Sequence, residues 1–292
     1  MRFAAIEIDN RPALGYAADD KIIDLSLLDS KFPSNLKDLL EQGEEAMKLV
    51  ETKALRAPAS LAIDPDQVKF RPLIENAGKY LCLGLNYLDH AKEGKFEKPT
   101  YPLFFMRAAT SLLAHQQPII LPQNSSKLDY EGELAVIIGK TARHVTRTKA
   151  LEHVAGYSCF NDGSIRDYQV KTSQWTIGKN FDSTGPFGPF FVTVDELPPG
   201  AKGLRIQTRL NNSIMQDANT RDMIFSVAET ISILSEVCTL EIGDVIVMGT
   251  PAGVGFARRP PVWLQPGDVV EVEIEGIGTL RNTVVAERFR AK

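Results

Sequence analysis

The protein contains 292 residues, of which 43% are hydrophobic, 24% charged and 8% aromatic. This composition is typical of a globular protein with enough apolar area for a large core, and it excludes disordered, fibrous and collagen-like chains. The 33 basic and 37 acidic side chains give a net charge of −4. The chain therefore lacks the positive field that holds nucleic acid or an anionic membrane surface, and neither partner is expected.

The N-terminal residues and the cysteines predict a cytoplasmic protein. The opening sequence MRFAAIEIDN places Arg2 and Glu7 where a signal peptide needs an uninterrupted apolar segment. Cys82, Cys159 and Cys238 form an odd number without a C-x-x-C pair, and each has apolar neighbours. We interpret them as buried free thiols of a reducing compartment.

The first 72 residues are expected to form a small N-terminal α/β domain. Two short apolar stretches precede a helical pattern between Leu36 and Val50. Prolines recur between residues 56 and 72, which is typical of a linker. We therefore place a domain boundary near residue 72 and predict a second, catalytic domain over residues 73–292.

Strand patterns dominate the second region, with Gly, Pro and Asn between them. The predicted strands cover residues 79–84, 103–106, 118–121, 131–138, 190–194, 204–210, 244–248 and 269–274. In the last of these, Val270, Val272 and Ile274 alternate with glutamates before a turn at Gly276. This pattern predicts a hairpin with one solvent-exposed face.

Few helices are predicted. Ser226 and Glu229 have the spacing of a capping box, and we expect the helix that follows to end at Gly243. Thr148 is a second candidate cap, for a helix through Val154. Strands that outnumber helices without βαβ alternation indicate a mainly β α+β fold in which the sheet folds on itself.

Three acidic residues are candidate metal ligands. Glu131 and Glu133 lie two apart at the start of an apolar strand, so both point to one face, about 6.6 Å apart at Cα. Asp162 follows another apolar run and could supply a third oxygen. A hard ion such as Mg²⁺ or Mn²⁺ suits this all-oxygen set better than zinc. The alternative is a solvated strand face, with Asp162 as a turn residue.

His90 and Glu93 are a candidate acid/base pair. If a helix begins after Asn86, the two side chains lie on one face, and the carboxylate can orient the imidazole. A structural histidine is the alternative. Arg166 and Gln169 also have helical spacing and could bind an anionic or carbonyl ligand, unless they form a solvated helix face.

Two loops could contact a substrate. Lys179 follows a glycine and could pair with a carboxylate or enolate, although most lysines are surface charges. Three glycines between residues 249 and 255 could hold a carboxylate through their amides, with the Thr250 hydroxyl beside them, or form only a tight turn. The sequence has no P-loop, G-x-S-x-G or H-E-x-x-H motif, which excludes the usual P-loop nucleotide, serine-hydrolase and zincin sites.

Taken in order, seven segments resemble the fumarylacetoacetate hydrolase family, in its acylpyruvase and 2-hydroxyhepta-2,4-diene-1,7-dioate isomerase-like branch. They are GLNYLDHAKE, DYEGELAVIIGK, NDGSIRDYQ, GKNFDS, QDANTRDMIFSVAE, LEIGDVIVMGTPAGVG and LQPGDVVEVEIEGIGTLRN. The resemblance spans about residues 76–286. It implies a mixed β-roll catalytic domain with a small N-terminal domain, and a homodimer that acts on a small-molecule keto acid.

The resemblance also implies a role for each candidate residue. The metal, Mg²⁺ or Mn²⁺ with Ca²⁺ as a further candidate, would be held by Glu131, Glu133 and Asp162. The acid/base pair would be His90 and Glu93, with Lys179 facing the substrate. The substrate contacts would be Arg166, Gln169 and Thr250. Where members often have a Lys-Pro pair, this chain has Arg107-Ala108.

These roles lead to a functional hypothesis. We expect a divalent-metal-dependent hydrolase that cleaves a C–C bond in a 1,3-diketo acid, such as an acylpyruvate or a diketo-deoxy sugar acid. His90 and Glu93 would activate water, and the metal would stabilise an enolate. The alternatives are an oxaloacetate decarboxylase or tautomerase, a hydroxymuconate-type isomerase or hydratase, and a metal-binding scaffold without turnover.

Overall fold

The computed structural model describes residues 1–18 and 20–288, and its fold is α+β and mainly β, as predicted. The strands are β1 (Arg2–Ile8), β2 (Arg11–Ala18), β3 (Lys21–Asp24), β4 (Ala62–Ile63), β5 (Lys69–Phe70), β6 (Tyr80–Gly84), β7 (Leu103–Met106), β8 (Leu112–Leu113), β9 (Ile119–Leu121), β10 (Leu128–Asp129), β11 (Gly132–Ile138), β12 (Val154–Asn161), β13 (Ser164–Ile165), β14 (Gly185–Thr193), β15 (Arg205–Leu210), β16 (Ser213–Asn219), β17 (Val245–Val247), β18 (Val269–Ile274) and β19 (Gly278–Ala286). The helices are α1 (Leu25–Leu28), α2 (Leu36–Gln42), α3 (Glu44–Ala54), α4 (Leu88–Glu93), α5 (Arg166–Gln169), α6 (Thr176–Lys179) and α7 (Val227–Val237).

Twelve of the strands form one sheet. Its order is β4-β3-β2-β1-β14-β12-β11-β17-β6-β7, with β5 beside β1 and β8 beside β14. The N-terminal strands join the rest of the sheet because β1 pairs with β14 as well as with β2. The domain boundary near residue 72 stays a prediction.

A second sheet, in the order β16-β15-β18-β19-β9, packs on the first. The alternation in β18 explains the packing: Val270, Val272 and Ile274 are each 1% exposed, and the intervening glutamates face away from the core. The hairpin from β18 to β19 turns between Ile274 and Gly278, as predicted. The apolar faces of β11, β12, β15 and β18 thus enclose the main core together with α7.

Each predicted strand overlaps an observed one, and the differences have local causes. β14 begins at Gly185 rather than at residue 190. Its register with β12 shifts between Tyr157 and Cys159, so that Gly188 lies opposite Cys159. The glycines and prolines in this half of the strand are not typical strand residues, so the sequence did not predict it. Prediction also missed β16, which pairs with β15 through another register shift.

The helical pattern between Leu36 and Val50 is present as α2 and α3, whereas two other predicted helices are shorter than expected. The Ser226 side chain caps α7 by accepting the Glu229 N–H, as the capping box predicts. The helix ends at Val237 rather than at Gly243, because the chain turns extended at Cys238 and Leu240 then pairs with Ala142. The helix predicted after Thr148 is only a 3₁₀ turn over residues 150–153.

Two sequence expectations concern burial and membranes. Cys82 and Cys159 are buried free thiols as expected, whereas the free thiol of Cys238 is only partly buried. Every helix within residues 1–18 and 20–288 is too short or too polar to span a lipid bilayer.

His115 should make the stability of the protein depend on pH. Its ring packs edge-on against Phe70 with centroids 4.8 Å apart, and its Nδ1 accepts the Arg281 N–H at 3.0 Å. Burial, and then the charge of Arg281, lowers the pKa of His115 to about 4. The unfolded chain takes up a proton near the ordinary value of 6.5, so the free energy of unfolding falls as the pH falls from 6.5 towards 4.

A His115→Asn variant keeps an acceptor for Arg281 but cannot titrate. The free energy of unfolding of the wild type should fall between pH 7 and pH 4.5, and in the variant this fall should be smaller by about 1–3 kcal/mol. Urea unfolding at the two pH values measures the difference. The control is His144→Asn, at an exposed position with φ of 52°, a conformation that asparagine tolerates. An unchanged difference between the two pH values in His115→Asn would contradict this role.

Candidate active site and metal centre

Three buried carboxylates converge where β11 begins and β12 ends. Glu131 lies between β10 and β11, Glu133 is in β11, and Asp162 directly follows β12. The two strands are antiparallel neighbours with Gly132 opposite Asn161, which places the start of one beside the end of the other. One carboxylate oxygen from each acidic residue lies within 4.8 Å of the other two. The structure thus brings together the three predicted metal ligands.

The donor set fits a hard divalent ion. All three members of this cluster are carboxylates. Mg²⁺ and Mn²⁺ prefer such oxygen ligands. Sites for zinc more often contain histidine or cysteine. The cluster could therefore hold Mg²⁺ or Mn²⁺.

Lys179 lies between two of these carboxylates. Its Nζ donates to Glu131 Oε2 and to Asp162 Oδ2, both at 2.6 Å, and the residue is 1% exposed. Lys179 ends the short helix α6 rather than lying in a loop as predicted. A Cβ atom on Gly178 would lie 2.4 Å from the Gln169 backbone, so glycine allows α6 to touch α5.

Arg107 is a buried cation to which the sequence analysis assigned no role. Its Nη1 donates to Asp162 Oδ1 and, at 3.1 Å, to the Gly163 carbonyl oxygen. Its Nε donates to Ser111 Oγ at 3.1 Å, and its Nη2 donates to Thr184 Oγ1 at 2.9 Å. A single charge within the apolar stretch Phe-Phe-Met-Arg-Ala-Ala was the available signal, because a buried charge needs a partner.

Arg166 contacts the carboxylate cluster through Glu131. Its Nη1 lies 2.6 Å from Glu131 Oε1 and 2.9 Å from Gln169 Oε1, and its Nε donates to Asp129 Oδ2 at 2.8 Å. Arg166 and Gln169 share a helix face as predicted, but they also hold each other. Arg166 Nη2 is buried and has no hydrogen-bond partner among the described residues. This N–H group is therefore available to an anionic ligand.

His90 and Glu93 form the predicted pair on α4. His90 Nδ1 lies 2.8 Å from Glu93 Oε1, and Glu93 Oε2 accepts the Gly253 N–H at 2.9 Å. The carboxylate is thereby fixed on both sides. His90 lines the same cavity as Glu131 and Glu133. Because Nδ1 is engaged, Nε2 is the ring nitrogen left for proton transfer.

The glycines of the loop 249–255 bind carboxylates, as the sequence suggested, but these carboxylates belong to the protein. The N–H donors and their acceptors are Gly249 with Glu133 Oε2 at 2.6 Å, Gly253 with Glu93 Oε2 at 2.9 Å, and Gly255 with Asp129 Oδ1 at 2.7 Å. Gly253 has φ of 109°, and a Cβ atom there would lie 2.1 Å from the Met215 carbonyl oxygen. The loop therefore orients acidic side chains around the site.

The Thr250 hydroxyl, predicted to contact a substrate, is already hydrogen-bonded within the protein. Its Oγ1 donates to the Gly132 carbonyl oxygen at 3.0 Å and accepts from Gln216 Nε2 at 2.8 Å. The single hydroxyl hydrogen is used inside the protein, so this group can only accept a hydrogen bond from a ligand. Gln216, which sequence reasoning missed, also accepts the Gly132 N–H at 3.0 Å. A substrate contact by Thr250 stays a prediction.

Seven of the nine candidate residues line one cavity of about 390 Å³. These residues are His90, Glu131, Glu133, Arg166, Gln169, Lys179 and Thr250. Five aromatic side chains also line the cavity, namely Phe96, Phe105, Trp175, Phe256 and Trp263. The rings of Phe105 and Phe256 lie over the cationic groups of Lys179 and Arg166. Charged and aromatic side chains in one cavity suit a small organic acid.

Two of the carboxylates differ in their protonation. Burial opposes ionisation of Glu131, but the charges of Lys179 and Arg166 outweigh it and lower the pKa of Glu131 to about 2. Burial, and then the charges of Asp162 and Glu131, raise the pKa of Glu133 well above its ordinary value. Without a metal ion, Glu133 therefore keeps its proton to a higher pH than an exposed glutamate does.

Fold and site together define a strand-rich α+β protein with a buried carboxylate cluster that could hold a divalent ion, beside a histidine–glutamate pair. Residues 79–285 match the family model described as fumarylacetoacetate (FAA) hydrolase C-terminal. The chain belongs to the fumarylacetoacetate hydrolase family, as its motifs predict, and is an enzyme of that superfamily. Similar proteins include hydrolases, isomerases and tautomerases.

Three comparisons are informative. The mitochondrial oxaloacetate tautomerase Fahd2a of Rattus norvegicus is 39% identical over 265 residues, which cover 90% of this chain and 84% of the relative. The fumarylacetoacetate hydrolase of Exiguobacterium antarcticum is 36% identical with a TM-score of 0.85, and the match covers 98% of this chain and 100% of the other. The maleylpyruvate hydrolase of Sphingobium sp. SYK-6, solved with manganese(II) and pyruvate, is 28% identical with a TM-score of 0.81. The match covers 99% of this chain and 100% of the other.

Proposed function

We propose that the protein is a divalent-metal-dependent enzyme that interconverts the keto and enol forms of oxaloacetate or a closely related 2-oxo dicarboxylic acid. One observation carries this proposal: His90, Glu131, Glu133 and Arg166 line the same cavity, with Glu93 hydrogen-bonded to His90 and Asp162 clustered with the two glutamates. The similarity to a relative named oxaloacetate tautomerase supports this choice of reaction.

Glu131, Glu133 and Asp162 would hold the ion. When bound, a divalent ion supplies positive charge that offsets the negative charge on the 2-oxo acid oxygens of the substrate. The ammonium group of Lys179, 2.6 Å from two of these carboxylates, adds a fixed positive charge to the same region. Arg166 Nη2, with the exposed Lys127 at the cavity rim, can bind the second carboxylate of the substrate.

Proton transfer is assigned to His90. Its Nε2 takes a proton from carbon 3 of the keto form, and the C–H electron pair forms the carbon–carbon double bond. The carbonyl oxygen then takes a proton to give the enol, so no atom is gained or lost. Glu93 orients the imidazole through its contact with Nδ1 at 2.8 Å.

Cleavage of a C–C bond in a 1,3-diketo acid is the second candidate. The similarity to maleylpyruvate hydrolase and the aromatic side chains that line the cavity, against which a longer acyl group could pack, favour it. Here His90 would take a proton from water, whose oxygen bonds to the distal carbonyl carbon. The C–C bond then breaks, and its electron pair remains on the 2-oxo acid fragment, which takes up a proton.

A substrate panel distinguishes these reactions. The Mg²⁺-loaded and EDTA-treated enzymes are incubated with oxaloacetate, an acylpyruvate and 2-hydroxyhepta-2,4-diene-1,7-dioate, and enol absorbance and NMR spectra are recorded. A tautomerase speeds keto–enol equilibration of oxaloacetate without new carbon products, and a hydrolase releases pyruvate and a second acid from the acylpyruvate. Release of CO₂ from oxaloacetate would indicate a decarboxylase. No metal-dependent change in any substrate would contradict both candidates.

We further propose that the protein forms the homodimer expected from its family. β7 is the last strand of the large sheet, and its Leu103 and Met106 are 39% and 47% exposed. Antiparallel pairing of β7 with a second copy would cover this edge symmetrically. Light scattering should give twice the 32.2 kDa mass of the chain. Met106→Lys should shift the protein towards the monomer, unlike the control Leu55→Lys, and a monomeric wild type would contradict the proposal.

A further inference from the structure

We infer that Gln216 and Thr250 form one positioning unit, which joins the carboxylate cluster to the glycine loop 249–255. Gln216 begins the segment QDANTRDMIFSVAE of the family resemblance, and none of the predicted roles uses it. The inference rests on the metal site and the acid/base pair of the proposed function. It adds the two side chains that set the geometry of both.

The two side chains and Gly132 form a closed ring of hydrogen bonds. The Gly132 N–H donates to Gln216 Oε1 at 3.0 Å, Gln216 Nε2 donates to Thr250 Oγ1 at 2.8 Å, and the Thr250 hydroxyl donates to the Gly132 carbonyl oxygen at 3.0 Å. Gln216 and Thr250 are buried, so these bonds lie in an interior where they are stronger than in water. Both backbone polar groups of Gly132 are therefore held by side chains from other elements.

The orientation of Gly132 matters because it lies between two predicted metal ligands. Glu131 precedes it and Glu133 follows it, so a rotation of its two peptide groups would move both carboxylates. A Cβ atom at this position would lie 2.1 Å from Thr208 Oγ1, and glycine thus allows β11 to approach β15. Packing limits the place of Gly132, and the ring of hydrogen bonds limits its orientation.

Gln216 reaches the site beside a bulge in β16. The register between β15 and β16 shifts after Thr208, which leaves Met215 as an extra residue in β16. Bulges redirect neighbouring side chains and are common next to active sites. A Cβ atom on Gly253 would lie 2.1 Å from the Met215 carbonyl oxygen, so the bulge contacts the glycine loop directly.

Gln216 also holds the glycine loop itself. Its Nε2 donates to the Pro251 carbonyl oxygen at 2.7 Å. On either side of Pro251, a glycine N–H of the loop binds a carboxylate of the site, Glu133 at 2.6 Å and Glu93 at 2.9 Å. The carboxamide of Gln216 therefore couples the carboxylate cluster to the partner of His90.

Metal binding tests the positioning role without substrate. The full-length protein is treated with a chelator and titrated with Mn²⁺, and the free ion is followed by its EPR signal. Gln216→Met removes the carboxamide, and Thr250→Val replaces the hydroxyl by a methyl group. We expect each variant to bind Mn²⁺ roughly 10-fold more weakly than the wild type, as changes around metal ligands do. Wild-type affinity in either folded variant would overturn the inference, as would a wild type that binds no Mn²⁺.

The double variant shows whether the two side chains act as one unit. Gln216→Met combined with Thr250→Val should lose much less affinity than the product of the two single losses, because coupled residues are not additive. Losses that simply multiply would overturn the unit. Thr250→Ser keeps the hydroxyl and should recover most of the affinity. A Thr250→Ser variant as weak as Thr250→Val would contradict the role of the hydroxyl.

Gln207→Met is the matched control for loss of stability. It replaces the carboxamide of another buried glutamine, in β15, whose Oε1 accepts from Arg209 Nη1 at 2.9 Å. This variant should bind Mn²⁺ like the wild type even if its Tm falls. A loss of affinity as large as that of Gln216→Met would indicate general destabilisation and overturn the inference. Thr250→Val and Thr250→Ser cover the case in which Gln216→Met does not fold.

Kinetics on the substrate identified by the panel separate positioning from substrate contact. Misplaced reacting groups should lower kcat by roughly 10- to 100-fold in Gln216→Met and Thr250→Val, with little change in KM. A raised KM with unchanged kcat in Thr250→Val would indicate a direct substrate contact and overturn the positioning role. If Mn²⁺ binding follows the expected pattern but the wild type converts no substrate, the proposed function fails and the positioning unit stands.

Discussion

A His90→Ala variant should lose about 10²- to 10⁴-fold in kcat while it binds Mn²⁺ as tightly as the wild type. The loss follows because His90 Nε2 is the ring nitrogen free to move a proton, and Glu93 and Gly253 fix the pair beside the carboxylate cluster. The variant leaves Glu131, Glu133 and Asp162 in place. Steady-state kinetics on the substrate identified by the panel, together with Mn²⁺ titration, measure both quantities.

Two controls separate a proton-transfer role from a structural one. Glu93→Gln keeps a hydrogen-bond partner for His90 but removes the negative charge, so it should lower kcat less than His90→Ala does. His144→Ala removes an exposed histidine outside the cavity and should leave the rate unchanged. Turnover by His90→Ala at the wild-type rate would exclude the acid/base role of this residue. An inactive wild type that still binds Mn²⁺ would favour the scaffold without turnover.

The positions of the predicted ligands could be derived from the sequence because they depend on local geometry. Glu131 and Glu133 share a face since residues two apart on a strand do so. His90 and Glu93 meet because they lie three apart on a helix. Strand spacing alone did not distinguish Glu131 and Glu133 from Glu271 and the other outward glutamates of β18. The ordered family motifs made that distinction.

The groups that hold these ligands could not be derived, because they come from distant parts of the chain. Arg107 and Asp162 are 55 positions apart, and Gly249 and Glu133 are 116 apart. The pairing of β11 with β17 brings the second pair together. Sequence reasoning predicted a carboxylate at the glycine loop, but it could not identify that carboxylate as one of the protein's own.

Glu133→Gln should strongly weaken metal binding without weakening the metal-free fold. The raised pKa of Glu133 means that the folded, metal-free protein keeps a proton that the unfolded chain releases near 4.5. The folded state thus binds more protons, so its stability falls as the pH rises above that value. Glutamine resembles the protonated acid and still accepts the Gly249 N–H. The metal-free variant should therefore melt at or above the wild-type temperature at pH 8.

The same variant offers the ion a weak amide oxygen in place of a carboxylate. Since changes outside the ligand shell already cost roughly 10- to 100-fold in affinity, loss of a ligand should cost at least about 100-fold and remove the Mn²⁺-induced rise in Tm. Thermal melts with and without Mn²⁺ at pH 6 and pH 8 measure both effects. Glu273→Gln, on the exposed face of β18, is the matched control and should keep the full Mn²⁺ response. A wild-type Mn²⁺ response in Glu133→Gln would remove Glu133 from the ligand set, because the ion would then be held without its charge.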